Sequence, residues 1–238
     1  MKNILCFGDS NTYGYNPADG SRFPEDVRWT GLLQEKAKGG GYRIIEEGLV
    51  GRTTIFEDSV RMGRKGSNFL LPLLETHYPV DAVVLMLGTN DCKTVYNASS
   101  HVIGKGMEVL LKQVKNYDAS LPVLLLSPIY LGEGVWEKEY DPEFNRASVE
   151  VSRELKTEYG RLAKLYGYEF LAASDVAEPS SADREHMDAK GIGRWRKRCG
   201  KNCRRWQLPR TKSQRKSADS KGNDTWNGRN LKENFRKN

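Results

Sequence analysis

Acyl transfer by a side-chain hydroxyl requires four groups in one place: the hydroxyl, a base for its proton, a group that orients the base, and donors for the oxyanion that forms. Ser10 is a candidate for the first. It stands in Cys6-Phe7-Gly8-Asp9-Ser10-Asn11-Thr12-Tyr13-Gly14, directly after the run Lys2-Asn3-Ile4-Leu5-Cys6-Phe7, which reads as a short buried strand. Gly8 opens a tight turn that leaves Asp9 and Ser10 at the strand's C-terminal end, where open α/β sheets bind ligands. A serine there presents its hydroxyl outward while its own N–H points at whatever the hydroxyl attacks. The same residues also read as a plain helix cap, because Asp, Ser and Thr dominate N-caps.

The base must come from His77, His101 or His186. His77 ends a predicted helix and His101 precedes another, so both read as surface residues. His186 lies in Ser180-Ser181-Ala182-Asp183-Arg184-Glu185-His186-Met187-Asp188, after the last predicted strand, with Asp183 three residues ahead. In a loop or single helical turn this spacing lets a carboxylate hold one imidazole nitrogen while the other faces a nucleophile. Alone, the segment reads equally well as a capped turn with an exposed histidine. Donors for an oxyanion are available at the N–H of Ser10, the N–H of Gly51 and the side-chain amide of Asn90, each after a different predicted strand.

The elements that must bring these residues together alternate strand and helix. A helix is expected over 27–36, with Trp29, Leu32 and Leu33 on one face, and Gly39-Gly40-Gly41 ends it. Strands follow at 42–47, 81–87, 121–127 and 168–172, and helices at 68–78, 102–117 and 145–166. Pro72 is tolerable only near a first turn, and Pro122 is harmless at a strand start. The segment 128–142 is too long for an ordinary connection and rich in aromatics, so it is read either as a substrate-covering loop or as surface packing. The pattern predicts an α/β fold with an open parallel sheet of about five strands and helices on both faces, a three-layer sandwich. Neighbouring strand ends in such a sheet converge on one crevice.

Together, Phe7-Gly8-Asp9-Ser10, Gly51, Gly88-Thr89-Asn90-Asp91 and Asp183-Arg184-Glu185-His186 resemble the SGNH family of GDSL-type esterases and lipases, in the family's order and spacing over about residues 2–191. Trp29-Thr30-Gly31, Glu46-Glu47-Gly48-Leu49 and Arg52-Thr53-Thr54 look like its arylesterase-like branch. The resemblance implies a flavodoxin-like SGNH fold. It also implies a serine esterase for short acyl esters, with Ser10 as nucleophile, His186 as base, Asp183 as orienter and an oxyanion hole at Ser10, Gly51 and Asn90. Members of that branch sometimes transfer the acyl group to alcohols, and deacetylation of carbohydrates is an alternative on the same fold. Asn11 departs from the leucine of the family's name, at a position that flanks the nucleophile and does no chemistry.

No cofactor is expected. Ser10-Asn11-Thr12-Tyr13-Gly14 matches a flavin-phosphate loop only loosely, and that reading leaves Asp183 and His186 without a role. Cys199 and Cys203 lack the second ligand pair of a zinc site, and no Gly-x-Gly-x-x-Gly follows a strand. The expected partner is a small ester. No apolar run approaches the roughly 20 residues of a membrane span, and the N-terminus enters a strand without a cleavage signal, so a cytoplasmic protein with reduced cysteines is expected.

The net charge of +7 is unevenly spread over the 238 residues. Residues 191–238 carry 16 Lys+Arg against Asp219, Asp224 and Glu233, a net of +13; residues 1–190 carry 22 Lys+Arg and 28 Asp+Glu, a net of −6. The division expected is therefore a hydrolase domain over 1–190 and a basic, aperiodic stretch over 191–238. Trp195, Trp206 and Trp226 interleave with its basic residues, and from another functional class this composition suits nucleic-acid binding. A frameshift near Gly191 is the more specific account. Codons compatible with residues 191–203, read one nucleotide earlier, encode Gly-His-Arg-Ala-Leu-Ala-Glu-Ala-Val-Arg-Glu-Lys-Leu, an amphipathic helix of good helix formers. The gene's nucleotide sequence is expected to encode such a helix in the neighbouring frame; codons that do not would exclude the frameshift.

Overall fold

The computed structural model of the chain describes residues 1–38 and 40–194. The expectations for the basic stretch, apart from its first four residues, lie outside the described residues.

Five strands, β1 (Lys2–Gly8), β2 (Tyr42–Gly48), β3 (Ala82–Met86), β4 (Val123–Ser127) and β5 (Glu169–Ala172), form one sheet in the order β2-β1-β3-β4-β5. Every pairing is parallel, with Gly8 opposite both Gly48 and Met86. All strands therefore end at the same edge of the sheet, and the order reverses at β1, which places the crevice over its C-terminal end. β3 and β4 are buried along their whole length, as central parallel strands covered on both faces must be.

On one face, Leu5, Phe7, Val83, Leu85, Val123 and Leu125 pack against three helices, α3 (Leu70–Thr76), α4 (Ser100–Tyr117) and α5 (Arg146–Tyr166). The 3.6-residue period explains the choice: Ile103, Met107, Leu110, Leu111 and Val114 make one buried stripe of α4. Ser99 caps α4, and Asn145 with Ser148 forms a capping box on α5. Tyr159 of α5 donates from its hydroxyl to the carbonyl of Leu87 at 3.0 Å, fixing the chain as it leaves β3. The helix expected over 68–78 is shorter. A 3₁₀ turn at Gly66–Asn68 precedes it, Pro72 falls in its first turn, and Pro79 keeps Tyr78 out of it.

α2 (Trp29–Lys38) runs beside β2, on the side of the sheet where Thr30, Arg28 and Arg22 bond Glu46. Gln34 of α2 accepts from the N–H of Ile44 at 2.7 Å and donates to the carbonyl of Tyr42 at 3.2 Å, so the outer groups of this edge strand are paired by a side chain. The segment 128–142 forms no regular element, and Ile129, Leu131 and Val135 are buried in it. After His186, residues 189–194 are helical and Ile192 is buried. No helix among the described residues is long and apolar enough to cross a membrane.

The short helix α1 (Ser10–Tyr13) rests directly on the end of β2. A Cβ on Gly48 would lie 2.1 Å from the Tyr13 amide nitrogen and 2.5 Å from the Thr12 carbonyl carbon. These are backbone atoms and cannot rotate away. Gly48→Ala is expected to destabilise the fold by about 1–3 kcal/mol in urea denaturation, the usual cost of overpacking, and to displace Ser10.

Candidate active site

Ser10 is the first residue of α1, and Asp9 caps that helix by accepting from the Asn11 N–H at 3.0 Å. The turn puts the Ser10 Oγ 2.8 Å from His186 Nε2, across 176 residues of sequence. The opposite nitrogen, Nδ1, lies 2.6 Å from Asp183 Oδ2. Asp183 Oδ1 accepts from the amides of Glu185 and His186, each at 3.0 Å, so the carboxylate is held by the loop it orients. The loop closes on itself through the Ser180 N–H to His186 carbonyl bond at 2.7 Å and the Arg184 N–H to Ser180 carbonyl bond at 2.8 Å.

The loop is tied to its surroundings on two sides. The Met187 N–H donates to Asn11 Oδ1 at 3.0 Å, and Trp29 Nε1 holds the Asn11 carbonyl at 3.0 Å. Asn11, for which no chemistry is expected, joins the serine turn to the histidine loop. On the other side, the Gly132 N–H donates to the Arg184 carbonyl at 2.7 Å, Arg184 Nη1 donates to the Glu133 carbonyl at 2.6 Å, and the guanidinium lies 4.3 Å from the Tyr140 ring. The segment 128–142 is thus bonded to the histidine loop. Tyr15 covers the imidazole with its ring centroid at 4.4 Å.

The three expected donors lie on loops that are bonded to one another, Asn90 to Arg52 and Arg52 to Gly8. Gly51 adopts φ +82°, a conformation open to glycine at little cost. Asn90 donates one amide hydrogen to the Arg52 carbonyl at 3.1 Å, which leaves the other. Among the described residues, the N–H groups of Ser10 and Gly51 have no acceptor. Beneath them, Asp91 accepts from the Thr54 N–H at 2.9 Å and from its hydroxyl at 2.5 Å. Arg52 donates to the carbonyls of Gly8, at 3.0 Å, and of Glu47, and its guanidinium lies 4.2 Å from the Phe7 ring. The loops after β1, β2 and β3 are cross-bonded under the crevice. Arg52, Tyr15 and Glu185 received no role from their own chemistry in the sequence, since single residues in aperiodic loops carry no pattern.

The site is acidic and largely buried. Burial opposes charging of His186, but the carboxylates of Glu185 and Asp183 outweigh it and its pKa is raised. Burial acts on Asp183 too, but the hydrogen bond and charge of His186 and the two amides hold its carboxyl below the usual range. Burial pushes Asp9 up to about 7 and Asp91 up to about 6, against their amide bonds. The same cause raises Glu185 and lowers Arg52 to about 10, where it stays charged at neutral pH. His77 is only partly exposed and pairs with Glu47 at 2.7 Å, whereas His101 is exposed as expected; neither bonds Ser10.

Residues 6–192 match the GDSL-like lipase/acylhydrolase family. Among solved structures, a carbohydrate acetylesterase family member from Sinorhizobium meliloti is 32% identical, with a TM-score of 0.77 over 87% of this chain and 99% of that one. The inhibitor-bound aryl esterase of M. smegmatis is 31% identical, with a TM-score of 0.77 over 86% and 99% of the two chains. No curated protein gives a match. With the five-stranded parallel sheet and this agreement over most of its length, the chain belongs to the GDSL-like lipase/acylhydrolase family and is a carboxylic ester hydrolase.

Proposed function

We propose that the chain is a serine esterase that hydrolyses short-chain carboxylic esters through an acyl-enzyme. The observation that carries this reading is the relay from Asp183 Oδ2 to His186 to Ser10 Oγ, with contacts of 2.6 and 2.8 Å. His186 Nε2 takes the Ser10 proton as Oγ attacks the ester carbonyl, and the oxyanion receives the N–H groups of Ser10, Gly51 and Asn90. Collapse of the tetrahedral intermediate breaks the bond to the alcohol oxygen, which leaves with the proton from Nε2. A water then gives a proton to His186 and attacks the acyl group, and the carboxylic acid departs as Ser10 recovers its hydrogen. An alcohol in the place of that water would give a new ester, the acyl transfer implied by the arylesterase-like resemblance.

A short acyl group is favoured because the segment 128–142 is pinned to the histidine loop and buries its own apolar side chains. The domain reading of 1–190 with a frameshifted remainder stands beside this proposal and is tested by the nucleotide sequence. Carbohydrate deacetylation is the second reading, supported by the naming of the S. meliloti structure.

Ser10→Ala is expected to lower p-nitrophenyl acetate hydrolysis by about 10⁶-fold without unfolding the chain, and the wild type should cleave the acetate faster than the palmitate. Undiminished turnover in Ser10→Ala, followed by absorbance of the released nitrophenol, would contradict the nucleophile.

The base must be neutral to accept a proton, and the His186 pKa is raised. Accordingly kcat/KM should rise with pH through a midpoint above the ordinary histidine value of about 6.5. Asp183→Asn removes one of the charges that raise it, so both midpoint and plateau should fall in a pH–rate profile.

A further inference from the structure

Glu185 is a carboxylate that the reaction above does not use. It is 7% exposed, and its Oε1 lies 3.7 Å from His186 Nε2, the nitrogen that faces Ser10. Its own N–H is bonded to Asp183, but among the described residues no hydrogen bond reaches its carboxylate oxygens. A nearly buried carboxylate without a donor is costly, and such a group beside the reacting atoms is completed when a ligand supplies the donor. The alcohol half of the ester is the part that comes close. Its oxygen must approach Nε2 to collect a proton as it leaves, so a hydroxyl on the neighbouring carbon falls within hydrogen-bond reach of Glu185.

We propose that Glu185 reads the leaving group by accepting a hydrogen bond from a free hydroxyl beside the ester oxygen, so that the substrates are partly acylated polyols or sugars. This rests on the esterase reading of the same site. A neutral hydroxyl fits better than a cationic alcohol, because the imidazolium formed during reaction lies 3.7 Å from the carboxylate and the buried Lys93 is also near enough to stabilise its charge. A second fixed cation would face repulsion from both. A site built to bond a substrate hydroxyl rejects the analogue that lacks it, by more than a hydrophobic pocket can.

The test compares kcat/KM for glycerol monoacetate, propyl acetate and acetylcholine in the full-length chain, in Glu185→Gln and in Glu185→Leu, with p-nitrophenyl acetate as the activity reference. The wild type should prefer glycerol monoacetate to propyl acetate by at least tenfold, and Glu185→Leu should bring that ratio close to one, with Glu185→Gln between. A wild-type ratio within twofold of one overturns the proposal and needs no variant to fold. A ratio that Glu185→Leu leaves unchanged also overturns it, as does a preference for acetylcholine that is lost on substitution. A wild type that cleaves p-nitrophenyl acetate but shows no hydroxyl preference defeats this inference alone, whereas one that cleaves no ester defeats the esterase reading and this inference with it.

Discussion

The crevice depends on how closely the serine turn approaches the sheet. α1 sits on Gly48, at the end of β2, with no room for a side chain between them. The carbonyl of Gly8 then accepts from the Leu49 N–H at 3.1 Å and from Arg52 at 3.0 Å, which draws the loop after β2 over the end of β1. Asn90 closes the set by bonding Arg52 from the loop after β3. The donors of the proposed reaction are therefore carried by backbone and by buried bonds, and no exposed flexible side chain has to find its position. Preorganisation of this kind is what gives such donors their value when charge develops, because the cost of ordering them is met on folding.

That arrangement requires several ionisable groups to be buried together, and each is treated differently. Asp91 takes bonds from Thr54 and acts as a strut between two loops. Asp183 is held charged by His186 and two amides. Asp9 has one bonded oxygen, while its other is buried with no partner among the described residues, which suits a carboxyl whose pKa has risen to about 7. Environment separates these acids where residue type does not, and the same separation distinguishes Asp183, which bonds Nδ1 of His186, from Glu185, whose Oε1 lies 3.7 Å from Nε2.

Much of the fold was legible in the sequence because parallel strands buried on both faces leave continuous apolar runs, as at 82–86 and 123–127, and amphipathic helices leave a 3.6-residue stripe, as in α4 and α5. Helix ends were less legible, and α3 was shortened by local proline chemistry. Ser10, Gly51 and Asn90 could be singled out because each closely follows a strand, and Asp183 and His186 because reaction chemistry restricts residue type and spacing. Asn11, Tyr15 and Glu185 could not. Their roles come from partners far away in sequence, such as the Met187 amide 176 residues from Asn11, and no local pattern encodes such a partner.

The bonding of Arg184 to the segment 128–142 has a mechanical consequence. Arg184 holds φ +59°, an unfavourable value for a side chain with a Cβ, and its carbonyl and guanidinium are both engaged by that segment. Asp183 and His186 lie on either side of it in sequence. If the segment swung outward it would pull on the very turn that aligns the imidazole, so an opened state would be an unproductive one. Movement of that segment and alignment of the imidazole are thereby one mechanical event, because the bonds that hold the segment are made by the residue between Asp183 and His186.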